Sequence, residues 1–133
     1  MAIGEWNPEG STIKIVEIDL EFLQNMERLA SDNDLADISA LLEASQISQG
    51  AVLMTLDSSS WDCVNDWDDQ QLEALIRFFT LAEMQLPGWQ GGSKSPVIAL
   101  VRILKERDAF PQALRRWIKA NTDNRYLPYG SAL

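Results

Sequence analysis

Between Trp67 and Leu86 the apolar residues Leu72, Leu75, Ile76, Phe79 and Leu86 recur at helical spacing, and Pro87-Gly88 stops the run. No other stretch constrains the chain as strongly. A stripe with a period of about 3.6 residues fixes an amphipathic helix, and its apolar side must be covered by other elements. With 133 residues one domain can supply that cover, hiding about two-thirds of its unfolded surface.

The flanking segments read in the same way. Asp19 is placed to cap a helix through about Ala30, with Leu20, Leu23, Met26 and Leu29 along one side. Leu35, Ile38, Leu42 and Ile47 mark a second helix ending near Gly50, since glycine commonly follows a helix end. Pro96 opens VIALVRILKER, whose apolar first residues predict a largely buried helix, with a strand as the alternative because of its β-branched content. Pro111 opens a last helix, PQALRRWIKAN, with Leu114, Trp117 and Ile118 inward and Arg115, Arg116 and Lys119 outward.

Two segments lean toward β-structure. STIKIVEI, residues 11–18, alternates apolar and polar residues as a short strand does. AVLMTL, residues 51–56, reads equally as a buried strand pairing with it or as a turn of buried helix. The expected architecture is mainly α: a single domain over residues 1–133, built as a bundle of about five helices. A two-stranded element from 11–18 and 51–56 accompanies it, with an α+β fold as the alternative. Residues 1–10 read as a loose N-terminal arm and 122–133 as an extended C-terminal tail.

Composition narrows the chemistry. The chain has no histidine and one cysteine, Cys63. The commonest general base, the usual zinc ligand and every Ser-His or Cys-His pair are therefore excluded, so that an enzyme would have to work with carboxylates, Lys, Arg, Tyr or a bound cofactor. The balance leans against an enzyme, and no metal or cofactor is expected. Cys63 lacks a nearby cation to lower its pKa and reads as a small buried residue. The N-terminus has neither a basic start nor an apolar signal core, and no apolar run is long enough to span a bilayer. A cytoplasmic protein without a membrane role is expected. Net charge is −9, but residues 1–75 carry sixteen acidic and two basic side chains, whereas residues 76–133 carry four acidic and nine basic. Such asymmetry bears on partner choice and encounter rate more than on fold.

Three stretches are candidate sites. GWQGGSKS, residues 88–95, is one residue short of a phosphate-cradling P-loop, with Ser93 where that loop needs its last glycine. Ser95 as N-cap and Pro96 at the first helical position explain it more simply, leaving Trp89, Gly91, Gly92, Ser93, Lys94 and Ser95 as a weaker anion site at a helix N-terminus. SSSWDCVNDWDDQQLE, residues 58–73, departs from a calcium loop at Val64 and Trp67. There Asp66 reads as a helix cap and Asp68 and Asp69 as first-turn acids, with Trp61, Asp62, Asp66, Trp67, Asp68 and Asp69 as a candidate partner surface. In the basic third, Arg115, Arg116, Lys119, Tyr126 and Tyr129 are further partner candidates, although the acidic half argues against nucleic acid.

The function expected from these features is a non-enzymatic protein-interaction or regulatory module. It would act through an acidic face and loop tryptophans, on another protein or on a second copy of itself. The alternative is a small domain binding an anion or phosphometabolite at the glycine-rich loop 88–96.

Overall fold

A computed structural model describes residues 18–56 and 58–122. Five α-helices run through them: α1 (Leu20–Asp32), α2 (Ala44–Leu53), α3 (Asp69–Gln85), α4 (Pro96–Glu106) and α5 (Gln112–Asn121). Short 3-10 segments lie at Ile38–Ala40, Ser58–Val64 and Gly92–Lys94. The protein is mainly helical, and no strand occurs among the described residues.

Of the two readings of 51–56, the structure has the helical one, continued by a turn. Residues 51–53 complete α2, and then Met54 N–H donates to Ala51 O (3.2 Å) and Thr55 N–H to Val52 O (3.1 Å). These local bonds engage the backbone groups that a strand would have offered to a neighbour. The proposed partner strand lies, except for Ile18, outside the described residues, as do the arm 1–10 and residues 123–133 of the tail.

Helix starts follow local chemistry. Asp19 Oδ1 accepts from the N–H groups of Glu21 (3.0 Å) and Phe22 (3.3 Å), capping α1 as expected. The cap of α3 is Asp68 rather than Asp66. Asp68 Oδ1 accepts from Gln71 N–H (2.8 Å) while Gln71 Oε1 accepts from Asp68 N–H (3.1 Å), a reciprocal box that Asp66 lacks the matching residue to form. Ser95 Oγ accepts from Val97 N–H (3.2 Å) with Pro96 at the first position, as the sequence predicts for α4. Pro111 is the residue before α5 rather than its first residue.

The second expected helix is broken in two. Leu35 is buried with φ of 60°, Ile38–Ala40 forms a single 3-10 turn, and α2 starts only after Glu43. Gln85, at the end of α3, holds the break. Its Oε1 accepts from Ile38 N–H (2.8 Å), and its Nε2 donates to Leu35 O (2.9 Å). The side chain thus supplies to the interrupted backbone the partners a continuous helix would have given.

The other elements pack around α3, which contacts α1, α4, α5 and the 38–40 turn, while 58–64 lies against α4. Its stripe of Leu72, Leu75, Ile76 and Phe79 is buried, and so are Ala74, Phe78, Thr80 and Ala82, so α3 is enclosed on most sides. Trp61 and Trp89 pack onto it with rings inclined to Phe79 by 79° and 33° at centroid separations of 5.6 and 6.3 Å. Full burial of such rings supplies the largest apolar contribution per side chain that a core of this size can gain.

Trp89 also fixes α2. Its indole N–H donates to Ile47 O (2.9 Å), and the six-membered ring lies over Gly50. A Cβ at Gly50 would stand 2.1 Å from Trp89 Cζ2. Gly50 therefore makes room for the indole inside α2 instead of ending the helix.

Candidate functional site

In the loop between α3 and α4, two of the candidate donors, the Gly91 N–H and the Ser95 hydroxyl, are engaged by one side chain. Glu83, on the last full turn of α3, is buried. Its Oε1 accepts from Gly91 N–H (3.2 Å), and its Oε2 accepts from the Ser95 hydroxyl. Ser95 is itself buried and passes the network on to α4 by accepting from Val97 N–H. The loop is drawn so close to α4 that a Cβ on Gly91 would lie 2.6 Å from Ser95 Cα.

The Glu83 carboxyl group thus joins the end of α3 to the loop backbone at Gly91 and to the residue that caps α4. Trp89 is buried in the core and does not face the surface. Of the remaining loop candidates, Gly92 and Lys94 form the 3-10 turn with Ser93, and Lys94 is exposed. Sequence reading passes over Glu83, although a lone carboxylate in the otherwise uncharged FFTLAEMQL is a usable signal.

The acidic segment divides by role. Asp68 caps α3 and Asp69 accepts from Arg107 Nη1 (2.8 Å), so both have structural duties. Arg107 Nη2 also donates to Asn65 O (2.5 Å), tying the 64–68 connection to the end of α4. Asp62 and Asp66 are exposed, and their carboxylates serve no cap or ion pair among the described residues. Both lie near Cys63 and help hold its thiol above the ordinary range, after burial as the main cause; its own backbone hydrogen bond opposes the shift. Cys63 itself is exposed rather than buried, with Sγ donating to Ser60 O (3.5 Å).

The tryptophans of this segment are not surface anchors as expected. Trp61 is fully buried, and its indole N–H has no partner among the described residues. Trp67 is half-buried and packs on the edge of the core. The exposed character of 58–69 is therefore carboxylate, with little aromatic surface.

In the basic third, Leu114 and Ile118 are buried, Trp117 is half-buried, and Arg116 and Lys119 are exposed. Arg115, expected to point outward, is half-buried, and its Nε is enclosed without a hydrogen-bond partner among the described residues. Arg107 joins the basic third to the acidic segment by its pair with Asp69. Tyr126 and Tyr129 lie outside the described residues.

Among the described residues no group of three or more His, Cys, Asp or Glu is arranged to hold a metal ion. Nor is any helix there long and apolar enough to cross a membrane. No protein-family model, no curated protein and no solved structure matches the chain.

Proposed function

We propose that the protein is a non-enzymatic interaction module that presents an acidic surface, centred on Asp62 and Asp66, to a basic surface of another protein or of a second copy of itself. One observation carries this reading: these two exposed carboxylates, next to Asp68 and Asp69, have no structural work of their own. Charged groups kept solvated cost little and steer a complementary partner, raising encounter rates and excluding polyanions.

The reading rests on the carboxylates alone, since Trp61 is in the core. The alternative, an anion site at 88–96, would have to form without the Gly91 N–H and the Ser95 hydroxyl, which Glu83 engages.

Capture of partners from the source cell's lysate at low and at moderate salt, read by mass spectrometry, tests the proposal. A basic protein, or the chain itself, should be recovered in stoichiometric amount at low salt and in falling amount as salt screens the contact. Recovery of background proteins alone under both conditions refutes it.

A further inference from the structure

We infer that the exposed face of α5 is a docking surface for a second copy of this chain, which it meets at that copy's acidic segment 62–66. This rests on the proposed function and narrows it: the acidic surface is the same, and its partner becomes one face of the same protein.

The helix period sets the face. In α5 the buried residues are Leu114 and Ile118, which turns Gln112, Ala113, Arg116, Lys119 and Ala120 to solvent, and all five are exposed. Arg116 and Lys119 stand one turn apart, so their charges are neighbours. The short side chains of Ala113 and Ala120 leave room beside Arg116 for a close approach. Residues 109–122 contain no acidic side chain. Among the described residues no ion pair or hydrogen bond engages the side chain of Arg116 or Lys119.

Asp62 and Asp66 match these cations in number and opposite sign, and they too have no ion-pair partner among the described residues. One chain therefore carries two complementary pairs of exposed charges that do not satisfy each other within it. The same polarity runs through the whole sequence. Residues 1–75 carry sixteen acidic and two basic side chains, and residues 76–133 four acidic and nine basic. Two copies attract when the basic third of one faces the acidic half of the other, and repel when like halves meet. The net charge of −9 opposes association of the chains as wholes. At about 0.1 M salt the Debye length is about 10 Å, which screens that long-range repulsion more than it weakens charges in contact.

Sedimentation equilibrium of the full chain up to about 1 mM, in about 0.1 M salt, tests the inference. The wild type should associate as concentration rises and become monomeric in about 1 M salt, where the Debye length is about 3 Å. Arg116→Gln with Lys119→Gln, and separately Asp62→Asn with Asp66→Asn, should each weaken association about tenfold. All four residues are exposed, so both variants keep the fold. Losing two cations takes the net charge from −9 to −11 and losing two acids takes it to −7. A general effect of net charge would thus move the two variants in opposite directions. An equimolar mixture of the variants should associate more tightly than either alone, as a one-to-one complex, because each supplies the face the other lacks. A wild type still monomeric at about 1 mM overturns the inference, as does wild-type association in the Arg116, Lys119 variant or a mixture no tighter than its components. Weakening by the Asp62, Asp66 variant alone overturns the role of α5 and leaves the acidic surface of the proposed function standing.

Discussion

Replacing Gly50 by alanine should destabilise the protein, against the ordinary rule for helix interiors. Gly→Ala within a helix is normally favourable by about 1 kcal/mol, because glycine loses more backbone freedom on folding. At Gly50 the added methyl would stand 2.1 Å from Cζ2 and 2.3 Å from Cη2 of Trp89. Carbon atoms pack at about 3.5–4.0 Å, so the ring or the helix must move by about 1.5 Å.

Neither can move without loss. The ring is fully buried against Phe78 and Phe79, and forced overpacking of this kind costs about 1–3 kcal/mol. Displacing the indole also stretches its bond to Ile47 O, now 2.9 Å, and a buried donor left unmet costs about 1–3 kcal/mol more. After subtracting the propensity gain, the net loss is about 1–5 kcal/mol, a large share of the roughly 5–15 kcal/mol that domains possess. Urea unfolding followed by tryptophan emission measures it. A Gly50→Ala variant as stable as the wild type, or more stable, would refute the packing of Trp89 against α2.

Other consequences follow from the same contacts. Glu83→Gln puts an amide donor against the Ser95 hydroxyl and should cost about 1–3 kcal/mol; Ser95→Ala should cost about 1–2 kcal/mol as cap and network partner. The two losses should not add in the double variant, whereas simple additivity would show that Glu83 and Ser95 act independently. Trp89→Phe should cost about 1 kcal/mol or more beyond Trp61→Phe, because only the Trp89 indole N–H makes a hydrogen bond among the described residues. An equal or larger loss at Trp61 contradicts this. Alkylation of Cys63 should be slow at neutral pH and rise only above the ordinary thiol range, since burial and then the charges of Asp62 and Asp66 disfavour the thiolate. Asp62→Asn and Asp66→Asn should each move the rate midpoint to lower pH; an unmoved midpoint removes their influence.

What the sequence makes legible is what neighbouring residues decide. Asp19 before α1, Ser95-Pro96 before α4 and Pro87-Gly88 after α3 act within a turn of themselves, and each helix lies where those residues imply. The break at Leu35 was not legible, because the groups that stabilise it belong to Gln85, forty-seven and fifty positions from the two backbone groups it meets. Gly50 looked like a terminator because its neighbour in space, Trp89, comes from a distant loop. For the same reason Trp89 looked like surface: its loop position is local, but its burial depends on α2 and α3.

The glycine-rich loop combines both cases. Two of its candidate donors, the Gly91 N–H and the Ser95 hydroxyl, meet a carboxyl group from Glu83, eight residues before Gly91 and twelve before Ser95. Sequence periodicity, which marks Glu83 only as one residue of a helix, does not show that pairing. In the acidic stretch 62–69, sequence alone does not separate Asp68 and Asp69, which cap and pair, from Asp62 and Asp66, which do neither.

That separation makes the central claim directly measurable. Asp62→Lys, Asp66→Lys reverses the charge of the surface while leaving the α3 cap and the Arg107–Asp69 pair in place. Wild-type and charge-reversed chains, matched by circular dichroism and thermal midpoint, should be used side by side to capture partners at low salt. The account predicts that a basic partner, or the second copy of the chain, is retained by the wild type and lost by the variant. Equal recovery by both would contradict the assignment of the interaction to this surface.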